Sequence, residues 1–126
     1  DDMPARLRVA LLLGSLGREQ EAAYHYREAL KRDPNQYVAL NNLGILALAR
    51  HRYGEAVALL ERVRLQRPND PSVLFNMAHA LARDGDTPRA RDCYEQLIAQ
   101  NTETPEIVWA RHYATPVVYS SESQIL

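Results

Sequence analysis

One pattern constrains the fold of this chain more than any other, because a set of residues recurs every 34 positions. Alanine stands at three positions with this spacing, Ala22, Ala56 and Ala90. Pairs of apolar or small residues follow the same spacing and read Val9-Ala10, Leu43-Gly44 and Met77-Ala78. Self-similarity at a period of this length is typical of proteins built from stacked supersecondary units. The sequence therefore predicts a solenoid that buries its apolar residues in a row of small layers.

Each copy of the pattern predicts two α-helices joined by a short turn. In the middle copy, apolar residues at helical spacing predict one helix over about residues 37–50 and a second over about 53–66. The next copy opens with Asp70 followed by Pro71, a typical helix start, because the carboxylate can cap the helix and proline tolerates its first position. Gly85 lies in a predicted turn between the two helices of that copy.

These two-helix units, with small residues at fixed points, resemble the tetratricopeptide repeat family. The resemblance implies an all-α fold, a right-handed superhelix (an α-α solenoid) of three helix pairs with a C-terminal capping helix and an extended tail. The repeats are expected at about residues 3–36, 37–70 and 71–104, with the capping helix over 105–113, which gives a repeat domain over 1–113 and an extended or disordered tail over 114–126. The family geometry also places Gly44 opposite Ala56, where small residues let two helices approach closely.

Length and charge narrow the class of protein further. The chain has 126 residues, enough for one domain, and a formal net charge of −1, which favours neither nucleic acid nor an anionic membrane surface as a partner. No stretch approaches the roughly 18 consecutive apolar residues of a membrane-spanning helix, so direct membrane insertion is not expected. The basic residues are 14 Arg and a single Lys, Lys31, which we interpret as the codon usage of a GC-rich bacterium.

The cellular compartment is left open between bacterial cytoplasm and periplasm. The single cysteine, Cys93, allows no internal disulfide and does not constrain the redox environment. The chain opens with Asp1-Asp2-Met3 and enters the first repeat almost at once, so we expect a fragment or a mature form of a longer protein.

Residues that could carry chemistry do not form a recognisable catalytic or metal-binding motif. The four histidines have no metal-ligand spacing and are predicted on separate helices: His25, His51, His79 and His112. The segment from Gly14 to Gly17 lacks the Lys-Ser/Thr of a phosphate-binding loop. No base can be placed beside Cys93, and no carboxylate pair suggests acid–base work. We therefore expect a protein that is not an enzyme and that needs no cofactor.

The resemblance implies a binding surface instead. In this family the first helices of successive repeats line a concave groove that binds peptides. The positions that match the groove and that we predict as the binding site are Leu7, Leu11, Val38, Asn41, Asn42, Ile45, Phe75, Asn76, His79 and Arg83. The apolar members favour a protein or peptide ligand with apolar side chains, although packing between neighbouring repeats is an alternative role for them.

Two asparagines of this set, Asn42 and Asn76, lie 34 residues apart. A side-chain amide carries donors and an acceptor together, so a column of asparagines can bind the backbone of an extended peptide. A local helix-to-helix hydrogen bond is the alternative. A second binding mode in the family, a clamp for a C-terminal carboxylate, is not expected, because its positions read Leu7, Leu11, Asn42, Ser72 and Asn76, and only Asn42 fits.

Three functions are consistent with this sequence. The first is a non-catalytic scaffold that binds an extended partner segment within a larger complex, and the style of the sequence resembles bacterial repeat proteins of pilus assembly and polysaccharide secretion. The second is a substrate-guiding or regulatory domain of a larger enzyme. The third is a homo-oligomer formed by exchange of the tail, residues 114–126, whose apolar side chains could lie in a groove. For Trp109, the only tryptophan, we expect a packing role.

Overall fold

The computed structural model describes residues 2–100 and 104–114, and within these ranges every regular element is helical. The helices are α1 (Met3–Ser15), α2 (Glu19–Arg32), α3 (Tyr37–Ala49), α4 (Tyr53–Gln66), α5 (Pro71–Arg83), α6 (Thr87–Ile98) and α7 (Pro105–Trp109), with a π-helical turn over Ala110–Ala114. The predicted all-α class with three helix pairs is confirmed. The predictions for the tail beyond Ala114 lie outside the described residues.

Capping side chains explain why the first helix of each pair begins where it does. The three residues that precede these helices, Asp2, Gln36 and Asp70, lie 34 positions apart, and each accepts a hydrogen bond from a backbone N–H of the first turn. The bond from the Ser72 amide to Asp70 Oδ1 is 3.0 Å long, and the bond from the Val38 amide to Gln36 Oε1 is 2.7 Å. These bonds satisfy donors that have no partner inside a helix. The predicted start of α5 at Asp70 and Pro71 is confirmed.

The turn inside each pair is the same structure three times. The backbone N–H groups of Arg18, Arg52 and Asp86 donate to carbonyls five residues earlier, at distances of 2.9, 2.8 and 2.9 Å. The preceding residue has a positive φ in each copy, +79° at Gly17, +61° at His51 and +90° at Gly85. Glycine adopts this left-handed conformation readily and other residues rarely do. The middle turn therefore imposes on a histidine the backbone that glycine provides in the other two.

Close contact between the two helices of a pair depends on small residues. Ala10, Ala22, Ala56, Ala78 and Ala90 are buried. Between α3 and α4 the approach is close, because a Cβ atom added to Gly44 would lie 2.9 Å from both Cγ and Cδ2 of Leu60 and 3.7 Å from the carbonyl oxygen of Ala56. The expected position of Gly44 opposite Ala56 is confirmed, although the Leu60 side chain lies nearer.

The last helix covers the end of the stack. Ile107 and Ala110 are fully buried in a cluster with Leu74 of α5 and Leu97 of α6. This is the contact predicted for a capping helix. The sequence predicted a single helix over 105–113, whereas the α-helix ends at Trp109 and continues as a π-helical turn. Within that turn Ala110 stays buried while Arg111 donates a 2.7 Å hydrogen bond to the carbonyl of Gln100.

Candidate peptide-binding face

The ten predicted site residues lie on the first helix of each pair. Leu7 and Leu11 are on α1, the next four are on α3, and the remaining four are on α5. Within each helix every member of the set has another member three or four positions away, which places the set on one side of that helix. We call the surface formed by these ten residues the first-helix face.

An apolar row crosses this face. Leu11, Ile45 and His79 occupy equivalent positions in α1, α3 and α5, at intervals of 34 residues. Leu11 is 47% exposed and Ile45 is 39% exposed, although both are large aliphatic side chains. His79 is partly buried at the end of the row. Exposed apolar side chains on the first helices of successive repeats form a surface against which a ligand can bury its own apolar side chains away from water.

Two other apolar members of the predicted site have a different environment. Leu7 and Val38 are partly buried and pack against the cluster formed by Ala10, Tyr26 and Ala39. The packing alternative raised for the apolar set applies to these two side chains. They pack beneath the first-helix face and expose little surface to a ligand.

The asparagines differ from one another in their hydrogen bonds. Nδ2 of Asn42 donates a 2.8 Å bond to the carbonyl of Val38, one turn earlier in the same helix, so the bond is neither helix-to-helix nor directed outward. Asn76 has no side-chain hydrogen bond to any described residue. Oδ1 of Asn41 is buried and has no hydrogen-bond partner within the described ranges. Amide groups on this face therefore retain unused hydrogen-bonding capacity.

An aromatic cluster closes the carboxyl-terminal end of the face. The Phe75 ring lies 4.6 Å from the His79 ring and 5.1 Å from Trp109, which stands nearly perpendicular to it. Trp109 also contacts Tyr94 at 5.8 Å and Tyr113 at 5.3 Å. Edge and offset contacts at these distances stabilise aromatic clusters. The predicted packing role of Trp109 is confirmed.

Sequence reasoning found Phe75 and His79 but missed the cluster that they form. Its members come from α5, α6 and α7 and share no linear motif. The available signal was the spacing of four residues between Phe75 and His79 and between Trp109 and Tyr113, which places each pair on one side of its helix.

Burial controls the charge of the cluster. Burial lowers the pKa of His79, and the nearby Arg83 cation lowers it further, although a hydrogen bond to the Phe75 backbone opposes both effects. Nδ1 of His79 lies 3.2 Å from the Tyr94 hydroxyl, whose pKa is raised by burial. Both groups are therefore uncharged at neutral pH. The formal positive charge at this end of the face is carried by the exposed Arg83.

Three observations on the described residues concern sites other than the first-helix face. It contains no group of three His, Cys, Asp or Glu side chains arranged to hold a metal ion. Burial raises the pKa of the Cys93 thiol, which leaves it protonated and a poor nucleophile at neutral pH. The depression beside Cys93, between Arg64 and Arg89, has a volume of about 120 Å³, well below the roughly 300 Å³ of a typical ligand pocket. None of the helices in residues 2–100 and 104–114 is long and apolar enough to cross a membrane.

Three helix pairs with equivalent turns, caps and small-residue contacts define an α-helical repeat protein. A family model described as tetratricopeptide repeat matches residues 15–74 and again 47–110. These two matches together span most of the chain, and the chain belongs to the tetratricopeptide repeat family. Such a fold is consistent with a scaffold for protein interactions.

Relatives agree with this assignment. The chain is 28% identical, over an aligned stretch of 131 residues, to cellulose synthase 1 operon protein C of Komagataeibacter xylinus. That alignment covers 75% of this chain and 10% of the relative, so the matched part spans about a tenth of the relative's length.

Solved structures share the fold at low sequence identity. MamA (residues 41 to the end) of Desulfovibrio magneticus RS-1 is 20% identical, with a TM-score of 0.76 over 98% of this chain and 77% of MamA. The type III secretion translocator chaperone SycD of Yersinia enterocolitica is 19% identical, with a TM-score of 0.70 over 96% of this chain and 89% of SycD. The N-terminal domain of stress-induced protein-1 of C. elegans is 14% identical, with a TM-score of 0.68 over 87% of this chain and 92% of that domain.

Proposed function

We propose that this chain is a non-catalytic scaffold that binds an extended segment of a partner protein along its first-helix face. The observation that carries the proposal is the exposed row formed by Leu11 and Ile45, because two equivalent positions on neighbouring helices both present a large aliphatic side chain to solvent. Removing such surface from water on binding stabilises a complex by about 25 cal/mol per Å² before the costs of association.

The chemistry of the face defines the ligand. Leu11 and Ile45 suit aliphatic side chains of the partner, and the rings of Phe75 and His79 suit an aromatic or aliphatic side chain at the other end. An extended peptide also presents unpaired backbone groups. The Asn76 amide and the Asn42 side-chain oxygen, which have no hydrogen-bond partner among the described residues, can bond to these groups whatever the peptide's sequence. The partner segment is therefore expected to be extended and predominantly apolar.

A matched pair of substitutions tests the location of the site. Ile45→Glu places a charge in the apolar row, whereas Leu65→Glu places the same charge at a leucine of α4 that is 73% exposed and lies away from this face. Peptides selected from a displayed library against the unsubstituted chain are titrated into each variant by calorimetry. We expect Ile45→Glu to weaken binding at least about ten-fold, equivalent to about 1.4 kcal/mol, and Leu65→Glu to leave it unchanged.

The amide column is tested separately with the double variant Asn42→Ala, Asn76→Ala. Loss of affinity for many unrelated peptides indicates contacts to the peptide backbone. Equal binding by Ile45→Glu, by the double variant and by the unsubstituted chain would contradict the proposal and assign binding to another surface.

We further propose that the partner complex is a bacterial assembly or secretion complex. The support is the relative from Komagataeibacter xylinus, whose name assigns it to a cellulose synthase operon. The same relative supports a second candidate, a substrate-guiding or regulatory domain of a larger protein, because the aligned stretch is 10% of its length. Calorimetric titration with soluble β-glucan oligosaccharides separates the two. Binding that is lost in the double asparagine variant favours substrate guiding, whereas binding to peptides alone favours the scaffold.

A further inference from the structure

Each end of the apolar row on the first-helix face has an arginine within one helical turn. Arg8 precedes Leu11 by three residues in α1, and Arg83 follows His79 by four residues in α5. Residues three or four positions apart lie on the same side of a helix, so both arginines lie on this face. The equivalent positions beside the middle of the row hold uncharged residues, Asn42 and Ala49.

Both guanidinium groups can pair with a ligand. Arg8 and Arg83 are exposed, and neither forms an ion pair or a side-chain hydrogen bond with any residue in the described ranges. Arg18 and Arg64, by contrast, each pair with a glutamate three residues away. Because a guanidinium group stays protonated in proteins, each end of the row carries a permanent positive charge.

Carboxylates do not compete for these cations on the face itself. None of the ten residues of the first-helix face is acidic. An acid that borders the face is Glu106 of α7, whose Oε1 accepts a 3.1 Å hydrogen bond from Oγ of Ser72. Ser72 is in the first turn of α5 and Arg83 is its last residue, so the two are about 16 Å apart along the helix.

The separation of the two cations sets the length of a ligand that reaches both. Leu7 of α1 and Val38 of α3 pack against one buried cluster, and α3 contacts α5. Arg8 and Arg83 are therefore two helix spacings apart, about 20 Å. The equivalent of Arg83 in α1 is Ser15, seven residues after Arg8, which adds about 10 Å along the helix direction. An extended chain spans the resulting distance of about 22 Å in about seven residues.

We propose that the partner segment carries an aspartate or glutamate on each side of its apolar stretch, one paired with Arg8 and the other with Arg83. The inference rests on the proposed function, because it specifies the ligand of the same face. The two acids lie about seven residues apart, and the apolar side chains between them contact Leu11 and Ile45. A guanidinium group can bind a carboxylate through two parallel hydrogen bonds, so the pairs fix the position of the segment across the three first helices.

Side-chain carboxylates within the segment, and not a chain terminus, are the expected partners. The two cations lie at opposite ends of the row, so a single terminal carboxylate can reach only one of them. The positions of the terminal-carboxylate clamp, in addition, hold uncharged residues in this chain: Leu7, Leu11, Asn42, Ser72 and Asn76.

Peptides selected from a displayed library against the unsubstituted chain are the probes. They are acetylated at the amino end and amidated at the carboxyl end, which removes both terminal charges. Only peptides that Ile45→Glu weakens at least about ten-fold are retained, since these occupy the first-helix face. We expect the retained peptides to carry two acidic residues about seven positions apart.

Replacing both acids by the corresponding amides measures their contribution. We expect the amide form of each peptide to bind about 25-fold more weakly at 50 mM NaCl, and the difference to shrink at 500 mM, because salt screens exposed charges.

Substitutions in the chain identify the groups that bind the acids. Arg8→Gln and Arg83→Gln should each weaken the acidic peptides about five-fold, and the double variant about 25-fold, because distant sites contribute additively. The amide peptides should bind all these variants equally. Arg91→Gln is the matched control and should change nothing, since Arg91 is also exposed without an ion pair to a described residue but lies on α6. Arg8→Glu should regain affinity for a peptide in which one of the two acids is replaced by lysine.

The outcomes separate this inference from the proposed function. Retained peptides without acidic residues, or equal affinities of the acidic and amide forms, would overturn the inference and leave binding on the first-helix face intact. A loss in Arg91→Gln as large as that in Arg8→Gln would also overturn it, because net charge alone would then explain the effect. If no selected peptide responds to Ile45→Glu, the proposed function fails and the inference fails with it.

Discussion

The two ends of the molecule use the same repeat differently. At the carboxyl end, α5 buries six residues between α4, α6 and α7. At the amino end, α1 is equally long at 13 residues but buries only Ala10. The difference lies in what each helix touches. Among the described residues α5 has a helix on both sides, whereas α1 packs on α2 and no described helix covers the side that carries Val9 and Leu12.

This contrast shows that an apolar residue in a repeat protein has no fixed energetic value. Its contribution depends on whether a neighbouring repeat covers it, because the stability of such a fold is approximately a sum of intrinsic and nearest-neighbour terms. Four comparisons, ordered from the largest expected effect to the smallest, test this difference.

The first compares one repeat position at the two ends. Met77→Ala removes a fully buried side chain, and we expect it to lower the free energy of unfolding by about 2–5 kcal/mol. Val9→Ala truncates the equivalent residue of α1, which is 44% exposed. We expect this substitution to change the free energy of unfolding by no more than about 0.5 kcal/mol. Urea denaturation of both variants measures the difference. Equal losses of stability would show that the side of α1 that carries Val9 is covered in solution.

The second concerns the close contact between the two helices of the middle pair. Gly44→Ala places a Cβ 2.9 Å from Leu60, and relieving that overlap costs about 1–3 kcal/mol, against a gain of about 1 kcal/mol in helix propensity. We therefore expect a net loss of stability. Gly54→Ala is the control, because its Cβ would meet only Asp84 Oδ1, at 3.9 Å, and it should gain up to about 1 kcal/mol. Stabilisation by both substitutions would refute the close contact.

The third compares the turn of the middle pair with the turns at the two ends. His51 has a φ of +61°, which costs a non-glycine residue about 1–2 kcal/mol. His51→Gly should therefore raise the melting temperature, although it loses the hydrogen bond between the imidazole and the Tyr53 hydroxyl. Gly85→Ala should lower the melting temperature by a similar amount. Calorimetric scans of the two variants give the signs, and a lower value for His51→Gly would mean that the Tyr53 bond outweighs the strain.

The smallest expected effect is the dependence of stability on pH that arises from His79 in the aromatic cluster. Since burial lowers the folded-state pKa of His79 below its ordinary value, the folded protein binds this proton less readily than the unfolded chain. The stability that depends on a neutral His79 is therefore complete above the unfolded-state pKa, about 6.5, and is lost as the pH falls through the folded-state pKa. Denaturation from pH 7.5 to 5.0 should show a steeper loss for the unsubstituted chain than for His79→Gln. Parallel plots of stability against pH for the two proteins would show that protonation of His79 does not cause the loss of stability.

Much of the fold was predictable because the 34-residue period fixes helix pairs, turns and small-residue contacts together. Gly44, Asp70 and Pro71 each carried a local physical reason for their position, and the structure agrees with all three. The end of α7 at Trp109 was not predictable, because a π-helical turn follows from tertiary packing around Ala110 and not from residue periodicity.

The candidate site was predictable only as a set of positions. The family resemblance assigned Leu7 and Leu11 to the groove, but it could not show that Leu7 packs inward while Leu11 remains exposed. That distinction depends on how closely α2 and α3 approach. The aromatic cluster was missed for the same reason, since Tyr94 and Trp109 meet Phe75 only after α5, α6 and α7 have packed together.

Hydrogen exchange resolved by helix tests the contrast between the two ends most directly. Backbone amides in α5, which is covered on both sides, should exchange only through global unfolding, whereas those in α1 should exchange through local opening and therefore markedly faster. Mass spectrometry of peptic fragments spanning Met3–Ser15 and Pro71–Arg83 in the same sample compares them without a variant. Faster exchange in α1 is the predicted result. Equal protection of the two helices would contradict the account, because it would mean that the apolar face of α1 is not open.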